Sequence, residues 1–223
     1  DKLAEMQALF LREAERNRAL PIDDRTVERV NPEIAGRPDL MAGRTSLTLA
    51  EGMTGMAENV FLNVKNRSKT ITAEIVVPEE GANGAILVQG GRFGGWALYV
   101  HDGVPAYDSN FLGLEHTTIA ATEPLEPGAT TLRFEFAYDG DGRGRGGLGT
   151  LFVGDTKVAE GRIERTQPMV FSADETADVG IDLATPVVEA IGSERRSRFT
   201  GEIPRVTIEV HLADDASPRG AAR

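Results

Sequence analysis

From Ser46 onward the apolar residues of this chain recur at every second position, and that period limits the fold more than any other feature. In "KTITAEIVVP", Ile71, Ala73, Ile75 and Val77 share one face, and Thr70, Thr72 and Glu74 the other. In "TTLRFEFAY", Leu132, Phe134, Phe136 and Tyr138 alternate with Arg133 and Glu135. In "RVTIEVHLA", Val206, Ile208, Val210 and Leu212 alternate with Arg205, Thr207, Glu209 and His211. Such segments are strands with one wet face. Shorter strands are expected at 46–49, 85–89, 96–100, 117–122, 150–153 and 157–163. Glycine and proline punctuate the intervals, with 25 and 11 residues. "TLFVGDTKV" is a hairpin signal with Gly154-Asp155 at its tip. Ten to fourteen such strands imply a mainly β fold, a two-sheet antiparallel jelly-roll sandwich.

One segment has a different period. In residues 1–20, Leu3, Met6, Leu9, Phe10 and Ala14 fall near helical spacing, and Pro21 stops the pattern. Pro21, Pro32, Gly36, Pro38 and Gly43 then mark 21–45 as an extended linker. The sandwich is assigned to 46–212 and a frayed tail to 213–223. A chain that opens at Asp1 inside a helical pattern is expected of a cut or processed product. The apolar helix stripe is expected to pack on a neighbouring domain, on the sandwich, or on another copy in a homo-oligomer.

Charge and composition exclude several classes. With 24 Lys plus Arg against 35 Asp plus Glu, the net charge of -11 repels phosphate backbones, so nucleic acid is not an expected partner. No apolar run reaches the ~18–20 residues of a membrane span. The absence of cysteine excludes disulfides, zinc–thiolate sites and a Cys nucleophile, and leaves a cytoplasmic or an exported location equally open.

The stretch "YDGDGRGRGGLGTLFVGD" contains Gly144-x-Gly146-x-x-Gly149. A dinucleotide loop must leave a strand and enter a helix whose N-terminus holds the pyrophosphate. Here another strand follows. A calcium loop fails because Arg143 stands at its fifth position, where an oxygen ligand is needed, and Thr150 rather than Glu at its twelfth. A flexible Gly-rich hairpin loop is expected, with Arg143 and Arg145 as solvated charges.

Three further stretches carry a resemblance. They are "KLAEMQALFLREAERNRALPIDDR", the run from "GGRFGGWALYVHDG" through "FEFAYDGDGRGRGG" to "FSADETADVG", and "FTGEIPRVTIEV". Together they resemble the C-terminal portion of large bacterial arylsulfatases of the type I, formylglycine-dependent family. The resemblance implies a lectin- or laminin-G-like module whose partner is its own upstream catalytic domain. There, formylglycine and a divalent metal would carry out sulfate-ester hydrolysis. The formylglycine motif, Cys or Ser followed by x-Pro-x-Arg, is absent from this chain, so no catalytic residue is assigned here.

Two clusters are candidates for binding. In "GGRFGGWALYVHDG", Trp96, Leu98 and Val100 form the core set, and Tyr99 and His101 face outward beside Arg92 and Phe93. An outward aromatic beside Arg can stack on a sugar or aryl ring and pair with a sulfate; alternatively Tyr99 packs under a loop. Glycines 90, 91, 94 and 95 imply positive φ or close backbone approach, for a bend or for a ligand. Tyr107 and Phe111 complete the expected aromatic platform. Within "AYDSNFLGLEH", Asn110-Phe111-Leu112-Gly113 reads as a turn, with Glu115 and His116 as a weaker hydrolytic pair lacking an evident partner. The second cluster is Asp174, Glu175, Asp178 and Asp182, either a calcium site of hard oxygen ligands or a solvated acidic loop. Two functions follow. One is a non-catalytic accessory domain of a sulfuric-ester hydrolase, buttressing the catalytic domain and reaching toward its cleft through loops 90–95 and 140–149. The other is an independent binding module for a carbohydrate such as a sulfated glycan.

Overall fold

A computed structural model describes residues 1–22, 38 and 40–211. The chain divides into two units, one up to Asp39 and one from Leu40. The first contains helix α1 (Lys2–Arg16), whose Leu3 N–H donates to the side chain of Asp1 at its N-terminus. It ends ahead of Pro21, where Asn17 donates its side-chain amide to Glu13 O at 2.8 Å. The expected linker lies mostly, and the expected tail wholly, outside the described residues.

The second unit is built from strands. The chain forms β1 (Ser46–Leu49), β2 (Ser68–Val77), β3 (Gly84–Gly91) and β4 (Gly94–His101). It continues with β5 (Val104–Phe111), β6 (Glu115–Ala120), β7 (Gly128–Tyr138) and β8 (Arg145–Val153). β9 (Thr156–Arg165), β10 (Ala177–Val179) and β11 (Glu202–His211) complete it. One antiparallel sheet has the order β1-β11-β2-β7-β8-β9, and the other β10-β3-β4-β5-β6. The chain crosses between sheets after β2, β6, β9 and β10, and β1 pairs with β11. The result is the expected two-sheet antiparallel jelly-roll sandwich.

The alternation explains the six-stranded sheet directly. β2 buries every second residue, Ile71, Ala73, Ile75 and Val77 against the facing sheet. Leu132, Phe134 and Phe136 of β7 and Val206, Ile208 and Val210 of β11 join them. The five-stranded sheet follows a different rule, because both its faces are covered. Its inner face carries Trp96, Leu98 and Tyr107. On its outer face Val187, Val188 and Ile191 close over Ala85, Val88, Ala97, Tyr99 and Ala106. Strands buried on two faces read as continuous apolar runs, as "AILVQGG" does. Where β6 meets the edge of β8 and β9, Ile119 takes the space left by two glycines. A Cβ at Gly149 would sit 2.5 Å from Ile119 Cδ1, and one at Gly161 would sit 2.9 Å from Ile119 Cγ1.

Candidate ligand-binding end of the sandwich

The β3–β4 and β5–β6 hairpins turn at the same end of their sheet, at residues 92–93 and 112–114. Asn110, at the end of β5, fastens them together. Its Nδ2 donates to Gly91 O and Arg92 O, both at 3.0 Å, and its Oδ1 accepts from Gly113 N–H at 2.8 Å. The first tip is anchored again where Arg92 N–H donates to Thr185 Oγ1, whose hydroxyl donates to Glu175 at 2.6 Å. Gly94, at φ +146°, lets this tip approach Gln167 without a side chain in the way.

On these fixed tips stand exposed apolar side chains. Phe93 is 74% exposed, Leu114 79% and Leu112 46%. Cations flank them. Arg92 pairs with Glu189 at 2.7 Å, and the Arg165 guanidinium lies 4.4 Å from the Phe111 ring centroid while pairing with Glu115 at 2.9 Å. His116, half-exposed on β6, directs Nδ1 at the buried Asp108 Oδ1, 2.9 Å away, and Thr118 donates to Asp108 Oδ2 at 2.7 Å. Asp108 is therefore the partner that sequence spacing did not reveal for His116. The imidazole is held in one orientation, with Nε2 left for another group. The dyad thus sets a fixed imidazole at the surface, and the hydroxyl beside it, that of Thr118, is bonded to Asp108.

The expected aromatic platform is divided by the fold. Arg92, Phe93 and Phe111 are at this end. Tyr99 is on the face opposite Trp96, as strand parity requires, yet it does not face solvent. It is 5% exposed beneath Val187, Val188 and Ile191. Burial, with Asp108 nearby, pushes its hydroxyl up to about 12. Tyr107 points between the sheets, stacked on Phe134 with ring centroids 3.6 Å apart, and burial raises its pKa well above the phenol range. Neither tyrosine can stack on an external ring. The run "YDSNF" is strand, and the turn starts only at Leu112.

The Gly-rich stretch 139–144 is the β7–β8 turn, and it is pinned rather than free. Tyr138 OH donates to Gly142 O and accepts from Arg145 N–H, and Asn66 Oδ1 accepts from Gly144 N–H at 2.8 Å. Asn66 also donates its amide to Pro168 O, so the side chain in its Asn-Arg-Ser sequence is already bonded.

The four acids of 174–182 take different partners. Asp174 is exposed, and Glu175 accepts from Thr185. Asp178 accepts from Gly55 N–H at 2.7 Å and from Thr176, with burial raising its pKa. Asp182 Oδ2 accepts from Val187 N–H at 2.9 Å, while its Oδ1 is buried without a partner. Burial, then the like charges of Asp178 and Glu175, push it up to about 7. Among the described residues no three His or acidic side chains converge as a metal-ligand set.

No family model and no curated protein matches the chain. Several solved structures are similar in outline. Ruminococcus gnavus IT-sialidase CBM40 bound to α2,3-sialyllactose has a TM-score of 0.48 at 14% identity, covering 77% of this chain and 94% of that one. A heptameric SAP-like pentraxin from Limulus polyphemus has 0.42 at 15%, covering 79% and 84%. Mouse laminin α1 domains LG4-5 have 0.44 at 14%, covering 75% and 42%.

Proposed function

We propose that this sandwich is a non-catalytic carbohydrate-binding module whose ligand lies across the hairpin tips at 92–93 and 112–114. The observation that carries the proposal is the exposed Phe93 on a tip fastened by Asn110. An exposed ring on a fastened backbone can take the apolar face of a sugar with only its own rotamer freedom to lose. At the same end, His116 and the two arginines offer polar groups for hydroxyls or an anionic substituent. Binding of simple and sulfated glycans, measured by titration calorimetry, tests this. Phe93→Ala is expected to weaken binding at least tenfold with the melting temperature unchanged. Equal affinity in the variant, or no glycan bound at millimolar concentration, removes the proposal.

A second reading rests on the arylsulfatase resemblance of the "GGRFGGW", "FEFAYDG" and "FSADETADVG" runs. It makes the chain an accessory domain of a sulfuric-ester hydrolase, and the same end would then meet a sulfated ligand. Aryl-sulfate hydrolysis by a separated catalytic portion, with and without this chain, tests it. Increased turnover or association of the two parts supports the reading, and absence of both refutes it.

A further inference from the structure

Between the sheets at this same end, β2 places a lysine where its alternation demands an apolar side chain. Lys69 is in phase with Ile71, Ala73, Ile75 and Val77 and is 6% exposed. Its Nζ lies 4.7 Å from the Trp96 ring centroid, 5.7 Å from that of Tyr107 and 5.9 Å from that of Phe136. The nearby Lys65 takes the carboxylate of Glu58. No carboxylate pairs with Lys69 among the described residues. Ring faces offset part of the desolvation of an ammonium, but they leave its N–H donors without acceptors.

Gln167 presents the complementary deficit. Its Nε2 donates to Val170 O at 3.2 Å and Phe171 O at 3.3 Å, which fixes which way the amide points. Its Oε1 is then buried with no donor. Lys69 and Gln167 line one cavity of about 20 Å³, which opens beside the partly exposed Phe111 and Thr166. That volume admits about one water-sized group.

An occupant that reaches both side chains would accept from Lys69 and donate to Gln167. An anion would satisfy the lysine and repel Oε1. A cation would do the reverse. A hydroxyl group satisfies both. We infer that the cavity is a socket for one hydroxyl, with Lys69 Nζ and Gln167 Oε1 as its two partners, contiguous with the glycan-binding tips. The group is supplied by a water molecule in the free protein and by a hydroxyl of the bound ligand in the complex. The second half of this inference rests on the carbohydrate-binding proposal.

The test follows the Lys69 ε-carbon and ζ-nitrogen signals by NMR in the full chain. Glycerol and simple methyl glycosides are titrated in one arm, and sodium chloride and sodium formate in another. The expected result is a saturable shift with a hydroxylic probe and none with either anion. Gln167→Leu is expected to weaken the hydroxylic response about tenfold, and the wild-type titration stands even if that variant folds poorly. A saturable response to chloride or formate overturns the inference, because the socket would then be an anion site. Glycosides that bind in calorimetry through Phe93 but leave the Lys69 signals unmoved overturn the socket and leave the function standing. A glycerol shift without any glycan binding supports the socket and overturns the function.

Discussion

A single buried amide, Asn110, ties together two hairpin tips that belong to different turns. Its three hydrogen bonds take up the carbonyls of Gly91 and Arg92 and the N–H of Gly113. Removing one side of such a buried set leaves the other unsatisfied, at about 1–3 kcal/mol. Asn110→Ala is therefore expected to lower stability by roughly that amount in urea titration and to weaken ligand binding. Phe93 is the opposite case. Its ring contributes little to folding, so Phe93→Ala is expected to change stability by less than about 0.5 kcal/mol. The two variants together separate a residue that builds the end from one that uses it. The Asp108–His116 pair belongs to the first kind as much as to the second, since Asp108 is buried and carries Thr118 as well.

At the level of strands and turns, packing between the sheets sets the tolerances. Gly149 and Gly161 face Ile119, and Phe134 Cζ would lie 2.8 Å from a Cβ at Gly149. Gly149→Ala is expected to cost about 1–3 kcal/mol by overpacking, read as a lower midpoint in thermal melts. At Gly154, on the β8–β9 tip with φ +57° and nothing near a Cβ, a side chain would meet backbone strain alone. These elements also divide what sequence alone can supply from what it cannot. β2, β7 and β11 were legible because each has one wet face, so the period appears in the residues themselves. β5 was missed: Asp108, Ser109 and Asn110 look like turn residues, and only the fold shows that two of them are buried and bonded. Tyr99 was assigned the right face by parity. That face is nevertheless covered by 187–191, a segment with no periodic signal. Lys69 is marked in the sequence itself, since its number places it in phase with the buried face of β2. In the acidic cluster, nearness in sequence does not fix where strand β10 and the loop after it direct each side chain, so the separate partners of the four acids are visible only in the fold.

Across the whole molecule, two buried ionisable groups pull stability in opposite directions with pH. Burial, and then Lys65, lower the Lys69 pKa to about 7. Between there and its unfolded value near 10.5, the unfolded chain binds the extra proton, so stability rises with pH. Asp182 is raised to about 7. Between about 4 and 7 the folded chain holds a proton that the unfolded chain has released, so stability falls as pH rises. Their sum is a stability minimum near pH 7, with each limb worth on the order of a few kcal/mol. Chemical denaturation across pH 4.5 to 10 checks this. Asp182→Asn is expected to flatten the acid limb and Lys69→Met the alkaline one; a flat wild-type profile would contradict both. The pairing of β1 with β11 has a mechanical counterpart. Ser46 lies opposite Glu209, and Val210 N–H donates to Thr45 O, so the chain enters and leaves the sandwich side by side at one corner. A pull on these two points loads the ladder bonds one after another, as a zipper is drawn, instead of all together in shear. The sandwich should therefore open at low force from that corner, with β1 peeling away before the hairpin tips at 92–93 and 112–114 are disturbed.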